Sequence, residues 1–405
     1  MGCVARALWW SVMSMKTVAI NRALPAVILF LLALVVCLFA LLVLASIERP
    51  VASSGPAAGA LPAEAAGRAQ YQWKMVTTWP VNFPGLGTTP RIFAEWVEAM
   101  SEGRLRIRVY GAGELVPALQ VFEAVSQGTA QMGHSSAYYW GGKLPASPFF
   151  TTVPFGLTAQ EMNAWLYHGG GMALWRKAYA PFNLVPLAGG NTGVQMAGWF
   201  NREILSIDDL KGLKMRLPGI AGQVLERAGG TAVTLPGGEI YTAMQTGVID
   251  ATDWVGPYND QAFNLHKVAR YYYYPGWHEP GPSLEFLVNQ QAWESLPPDL
   301  QQIVTVAARA ANQDMLDQYT ALNNAALHTL VDEHDVQLRQ LPDDVLRQLR
   351  VLSDEVIAEW VAADPLVAEI YDSWSSFRDN VSEYHHISEQ AFLRARALPG
   401  SDLVE

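Results

Sequence analysis

Tyr71-Gln72-Trp73-Lys74-Met75-Val76-Thr77-Thr78-Trp79 alternates in polarity and is rich in aromatic and β-branched residues, which predicts a strand running straight into a Pro/Gly loop at residues 80–87. Ile92, Phe93, Trp96, Val97 and Met100 then recur at helical spacing, with Gly103 as the stop. From Leu105 to Tyr110 charged and apolar residues alternate again, a second strand. The order strand, loop, helix, strand predicts a right-handed parallel unit.

Further along, one pattern occurs twice. Phe122-Glu123-Ala124-Val125-Ser126-Gln127-Gly128-Thr129-Ala130-Gln131-Met132 reads as a short helix, a terminating glycine and a strand, leading into Ser135-Ser136-Ala137-Tyr138-Tyr139-Trp140. Tyr241-Thr242-Ala243-Met244-Gln245-Thr246-Gly247-Val248-Ile249-Asp250-Ala251 repeats that order and leads into Thr252-Asp253-Trp254. Helix, glycine and strand recur in many α/β proteins, but two such units with polar, aromatic exits suggest two like lobes. Ligands of open α/β sheets sit beyond the carboxyl ends of strands, so both exits should face one crevice. Between the echoes, Leu184–Leu187 is a strand candidate feeding a loop at residues 188–193, and Val194–Asn201 a second strand with Gln195 near its start. Ser206 caps a short element ahead of a strand that carries Arg216 and is halted by Pro218-Gly219. Tyr271 to Tyr274 read as a buried inter-lobe strand with two rings facing the core. Pro297 and Pro298 open a long helical segment through His334, and Pro342 another through about Val361; this tail should pack against both lobes.

The N-terminal segment changes the picture of compartment. Arg6, Lys16 and Arg22 precede an uninterrupted apolar run from Leu24 to Ala45, followed by an Ala/Gly-rich stretch. That pattern predicts a cleaved export signal, with a retained membrane anchor as the alternative because the run is long enough to span a bilayer. Both cysteines, Cys3 and Cys37, fall in it, which leaves no thiol for disulfides or cysteine-ligated metal beyond. The expected division is 1–46 signal or anchor, 47–70 linker, 71–193 first lobe, 194–283 second lobe, and 284–405 a return to the lobes with the helical region. The chain carries a net charge of −11, and its first 70 residues hold five Lys/Arg against two Asp/Glu, so the remainder carries −14. Such a surface disfavours nucleic acid and repels anions at long range, so an anion site must be built from local positive groups in a cleft.

Arg216 is the first candidate for that role: at a Gly/Pro-bounded strand end its planar fork of donors matches a carboxylate bidentately. From position alone it fits equally an ion pair with Asp or Glu at a lobe surface. Asp253, beside Trp254, and Glu279, in Tyr274-Pro275-Gly276-Trp277-His278-Glu279-Pro280, are acids among bulky aromatics. A hard cation bound by oxygens of Gln195, Asp253 and Glu279 would offset their burial; a helix cap or an exposed loop carboxylate is the simpler account from the residues alone. Enzyme signatures are missing: no Gly-x-Ser-x-Gly elbow, His-Glu-x-x-His, phosphate loop or dinucleotide fingerprint is present. Gly169-Gly170-Gly171 sits within a helical pattern, without the strand a phosphate cradle needs. His328 and His334 lack metal spacing, and the adjacent His385 and His386 cannot share a helix face.

Lys74-Met75-Val76-Thr77-Thr78-Trp79, Gly111-Ala112-Gly113-Glu114-Leu115-Val116-Pro117, Gly190-Asn191-Thr192-Gly193-Val194-Gln195, Leu210-Lys211-Gly212-Leu213-Lys214-Met215-Arg216 and Asp253-Trp254-Val255-Gly256-Pro257-Tyr258-Asn259-Asp260 together resemble the periplasmic solute-binding proteins of tripartite ATP-independent periplasmic (TRAP) transporters. The likeness runs from about residue 71 to 380 and is strongest to the branch that binds 2-oxo and 2-hydroxy monocarboxylates with a metal ion. It implies a two-lobed, type II-like periplasmic-binding-protein fold, α/β, with mixed sheets flanked by helices and a helical C-terminal region on both lobes. It implies, further, that Arg216 clamps the ligand carboxylate; that Gln195, Asp253, Trp254 through its backbone and Glu279 hold sodium or calcium; and that Gln195, Tyr139, Asn191 and Trp254 line the pocket. Asp253 stands where the family pattern has a glutamate. The implied role is capture of an acid such as pyruvate or lactate and delivery to membrane permease subunits, with no reaction, no organic cofactor and a periplasmic location; the helical tail suits a homodimer. Competing readings are a receptor for a dicarboxylic or aromatic acid, an ATP-driven receptor, a membrane-anchored ligand sensor or chaperone domain, and an enzyme on a binding-protein scaffold.

Overall fold

The computed structural model describes residues 70–398. The predicted leader, the linker up to residue 69 and both cysteines lie outside the described residues. Among the described residues, no helix is long and apolar enough to cross a membrane.

Two mixed sheets organise the molecule. The first contains β1 (Tyr71–Thr77), β2 (Leu105–Tyr110), β3 (Met132–Ser135) and β4 (Leu184–Asn191), joined later by β10 (Ser283–Asn289), in the order β2-β1-β3-β10-β4. The second contains β5 (Gly198–Phe200), β6 (Lys214–Arg216), β7 (Thr231–Val233), β8 (Ala251–Thr252), β9 (Tyr271–Tyr274) and β11 (Gln337–Gln340), in the order β11-β9-β5-β8-β6-β7. β1, β2 and β3 run parallel and β10 runs against them, so the sheets and flanking helices form the two-lobed α/β architecture expected. The helix Thr88–Met100 buries Phe93 and Val97 on the way from β1 to β2, and Leu105 and Ile107 point inward while Arg106 and Arg108 stay exposed.

The chain passes between the sheets at 192–197, at 275–282 and a third time along helix Pro298–His328 on the way to β11, and the first two crossings lie side by side. Gln195 N–H donates to the Glu279 carbonyl (3.1 Å) and Gly276 N–H to the Gln195 carbonyl (3.1 Å). The approach is close enough that a Cβ on Gly276 would lie 2.2 Å from the Gln195 oxygen. The helix Pro298–His328 packs on β4, on Thr88–Met100 and on the second lobe's helix Pro257–Ala262. Helix Asp343–Ala363 packs on Ile220–Arg227 of the second lobe, and Pro365–Ile387 on Ala159–His168 and Gly171–Tyr179 of the first. The C-terminal region thus braces both lobes.

Several details differ from the pattern-based expectation. β4 continues through Gly189 and Gly190 instead of looping at residue 188, because helix Pro298–His328 and β10 press on it: a Cβ on Gly190 would meet Met315 Sδ at 2.5 Å and one on Gly189 the Phe286 ring at 2.7 Å. The strand expected at 194–201 shrinks to Gly198–Phe200, since residues 194–197 belong to the crossing. The tyrosine strand β9 lies inside the second sheet, between β11 and β5, and is not inter-lobe. Tyr272 and Tyr273 are both buried because both faces of that sheet are covered. The Gly169-Gly170-Gly171 run breaks the helical pattern in two, with Gly170 at φ +92°.

Candidate functional site

The parallel register of β6 and β8 sets Arg216 opposite Thr252, so the chain leaving β8 brings Asp253 and Trp254 beside the arginine. Across the cleft, β1 and β3 run in parallel with Thr77 opposite His134, and β3 exits into the turn Ala137–Trp140, which carries Tyr139. Both sets of strand ends therefore face one crevice, as sheets of this type dictate.

Arg216 is wholly buried, not on a lobe surface. Its Nη1 donates to the Asp253 carbonyl (3.0 Å) and to Asp253 Oδ2 (3.0 Å), and its Nε to the Leu235 carbonyl (3.4 Å). Its Nη2 reaches across the crevice to the Tyr139 hydroxyl (3.0 Å), while the guanidinium lies 5.2 Å from the Trp254 ring centre. Burial pushes the Tyr139 phenol up, against the pull of Arg216, and pushes the neighbouring Tyr138 phenol up further with help from Glu279.

Three oxygens around this group lack partners among the described residues. They are Gln195 Oε1, Asp253 Oδ1 and Glu279 Oε2, each on a buried side chain. Gln195 spends its amide nitrogen on Thr192 Oγ1 (3.0 Å), which leaves the oxygen as its free end. Burial and the nearby Asp253 charge hold the Glu279 carboxyl well above the usual carboxylate range, with Arg216 pulling the other way. A buried acceptor without a donor costs about 1–3 kcal/mol, so the trio fits a hard cation, which takes oxygen ligands of this kind. The simpler account, caps or exposed loop carboxylates, does not describe Asp253 and Glu279, which are 0% and 2% exposed.

Trp79, Tyr138, Tyr139, Gln195, Trp254 and Glu279 line a narrow cleft of about 10 Å³. That is room for one water-sized guest at most. Asn191 is buried at the end of β4 with its amide engaged elsewhere: Nδ2 donates to the Gly281 carbonyl (3.0 Å) and Oδ1 accepts from Gly193 N–H (2.9 Å). It ties the two crossings together and does not line the cleft. A larger cavity of about 240 Å³, beside Arg91 and Glu95 of the first lobe, gathers no buried charge.

Sequence reasoning missed the groups that hold these loops. Trp79 Nε1 donates to His134 Nδ1 (2.7 Å), so His134 Nε2 carries the proton that it donates to the Gly189 carbonyl (3.0 Å). Burial lowers this imidazole to about 4, which keeps it neutral. His278, quoted above only within a longer motif, sits against Asp253, with Nε2 3.0 Å from Oδ1. A signal existed in both cases, a histidine inside or next to an apolar, aromatic run.

Residues 75–364 match the family model of the bacterial extracellular solute-binding proteins, family 7 (DctP). The monocarboxylate 2-oxoacid-binding periplasmic protein of Nostoc sp. is 45% identical over 330 residues, 81% of this chain and 89% of that protein. A TRAP periplasmic solute-binding protein from Colwellia psychrerythraea, solved with calcium and pyruvate, is 45% identical with a TM-score of 0.78, covering 80% of this chain and 99% of that one. Another from Pseudoalteromonas atlantica, solved with sodium and pyruvate, is 44% identical with a TM-score of 0.79, covering 81% and 99%. The fold, the crevice between two lobes and these likenesses lead to one conclusion: the chain belongs to the DctP family of periplasmic solute-binding proteins that serve TRAP transporters.

Proposed function

We propose that this protein captures a short 2-oxo or 2-hydroxy monocarboxylate, of the size of pyruvate or lactate, together with sodium or calcium, and delivers it unchanged to membrane permease subunits. The observation that carries this reading is a wholly buried guanidinium bonded to Asp253, together with orphaned buried oxygens on Asp253, Glu279 and Gln195. Likeness to relatives that hold pyruvate with calcium or sodium supports it.

Arg216 is the group that receives the carboxylate. Its Nη2 bond to Tyr139 is exchanged for a bond to the ligand, and the Tyr139 hydroxyl, freed by that exchange, can donate to the same carboxylate. Gln195, Asp253 and Glu279 would hold the cation, with Trp254 contributing its backbone; the cation supplies positive charge where the cleft has unpaired acceptors and where a 2-oxygen can share it. Trp79 and Trp254 close over the short carbon chain and exclude water. Because one bond from the second lobe ends on a residue of the first, a ligand that replaces it favours the closed arrangement by its differential affinity. The lobes divide at the two side-by-side crossings, into 71–193 and 194–283, and the described residues from 284 to 398 return to both. An uncut Leu24–Ala45 run would tether the protein to the membrane. Exposed Tyr384, Ile387, Phe392 and Leu393 on the last two helices support a homodimer.

The test is thermal denaturation of the exported protein with pyruvate, lactate, dicarboxylic acids and aromatic acids, each with and without calcium or sodium. An acid at a hundredfold excess over its Kd stabilises by about 2.7 kcal/mol. Short 2-oxo or 2-hydroxy acids should raise the Tm most, and more with the cation present. Glu279→Gln should remove the cation-dependent part; equal loss of the shift in cation-free buffer would count against a cation role. A larger shift with dicarboxylic or aromatic acids would redirect the substrate assignment.

A further inference from the structure

Behind the two acids lies a histidine that the reading above does not use. His278 is 1% exposed, and neither of its ring nitrogens has a hydrogen-bond partner among the described residues. Its Nε2 lies 3.0 Å from Asp253 Oδ1, yet the contact is not aligned as a hydrogen bond, and Oδ1 is itself unpartnered. Proximity and satisfaction thus disagree here, and the geometry favours two atoms side by side rather than a donor aimed at an acceptor. The ring also lines a small apolar cavity with Leu217, Leu225 and Leu341, which offer it no polar partner. A buried imidazole left this way bears a desolvation cost without return.

Two ligands of one metal ion, each about 2.0–2.1 Å from it, stand roughly 3 Å apart. That is the separation of His278 Nε2 and Asp253 Oδ1. Glu279 completes the set: one ligand atom each from Asp253, His278 and Glu279 lie within 4.8 Å of one another, all on buried residues. We propose that this cleft also accepts a borderline divalent metal of the zinc and cobalt class, held by His278 Nε2, Asp253 and Glu279, in competition with the hard cation. The inference rests on the cation role proposed above for Asp253 and Glu279, and adds a second mode to it. Calcium and sodium prefer oxygen and would use Gln195 with the two acids. Imidazole nitrogen suits zinc, cobalt, nickel and copper, whose affinities for such a site follow the usual first-row order. The shared acids make the two modes exclusive, so the metal that is bound selects which of Gln195 and His278 completes the site.

The experiment uses metal-stripped exported protein titrated with Co²⁺, read by visible d–d absorption, and with Zn²⁺ against Ca²⁺ by calorimetric competition. We expect a saturable Co²⁺ band, displacement of Ca²⁺ by Zn²⁺, and a single imidazole in the zinc-edge X-ray absorption of the unmutated protein. His278→Gln should weaken Co²⁺ by 30-fold or more and Ca²⁺ by less than fivefold. No Co²⁺ band, or a zinc edge without imidazole, would overturn the proposal, and the edge decides it even if the variant fails to fold. Calcium-dependent stabilisation by pyruvate with no Co²⁺ binding would sink this inference alone; loss of both would sink the reading it rests on.

Discussion

On one side of the cleft the first lobe presents Trp79, Tyr138 and Tyr139; on the other, the second presents Arg216, Asp253 and Trp254. The support behind these loops is duplicated. In the first lobe Glu285, buried in β10, accepts from Trp140 Nε1 (2.5 Å) and the Tyr179 hydroxyl (2.8 Å), and so fixes the residue next to Tyr139. In the second, Asp260 accepts from Trp199 Nε1 (2.9 Å) and the Tyr272 hydroxyl (2.7 Å), and its other oxygen takes the N–H groups of Val255 (3.2 Å) and Gly256 (3.1 Å), just after Trp254. One acid, one tryptophan and one tyrosine therefore anchor each cleft loop. The charge is not duplicated: one lobe supplies neutral aromatic rings and the other an ion pair. Scaffolding recurs in both lobes, whereas the proposed function places ligand affinity in the second lobe and the crossings and leaves closure to the first.

Removing each lobe's contribution in turn separates the two roles. Arg216→Ala should abolish acid binding and also destabilise the protein by about 3–5 kcal/mol, because it strands Asp253 as an unpaired buried charge; calorimetry and urea unfolding measure the two effects. A variant that still binds, or that unfolds as the parent does, would deny the second lobe its role.

Next in size is the pH dependence of the ligand-free protein. Burial raises Glu285 to about 8, against the hydrogen bonds from Trp140 and Tyr179, and raises Asp260 to about 7, against those from Trp199, Tyr272 and the Val255 N–H. A carboxyl whose folded value lies above its unfolded value binds more protons when folded. Its stabilising contribution is full below about pH 4, the unfolded range, and is lost as pH rises to 7–8. Unfolding free energy should accordingly fall over that interval by up to about 1.4 kcal/mol per pH unit for each acid. Glu285→Gln and Asp260→Asn should each flatten part of the slope of Tm against pH, whatever they do to absolute stability. If only one does, the two anchors are not equivalent.

The smallest effect belongs to the first lobe's reach across the cleft. Tyr139→Phe removes one hydrogen bond to a charged partner, about 1.5–3 kcal/mol at most, and should weaken acid binding roughly tenfold or somewhat more while lowering stability in urea by no more than that amount, since the bond is already present in the ligand-free protein. A loss as large as that of Arg216→Ala would place the affinity equally in both lobes.

The chain's own pattern predicted the strand exits and offered Arg216, Gln195, Asp253 and Glu279 as candidates, but it fitted a surface ion pair and exposed carboxylates as well or better, and only the family resemblance drew the four to one cleft. The pattern did not disclose why β4 runs on through two glycines, which depends on Met315 and Phe286 about a hundred residues away. The tyrosine strand was assigned to the wrong place, since alternation predicts which side chains oppose each other but not that a sheet is covered on both faces. His278, Glu285 and Asp260 were hidden for a related reason. Their partners, Asp253, Trp140 and Trp199, are distant in sequence, and a lone polar residue in an apolar run gives no hint of who will face it.

The account turns on a planar fork of donors, not merely a positive charge, at residue 216. Isothermal titration of pyruvate into calcium-loaded protein carrying Arg216→Lys tests this most directly, because lysine keeps the charge and loses the fork. The predicted result is a loss of affinity of a hundredfold or more with the fold retained; an affinity within threefold of the parent would contradict it.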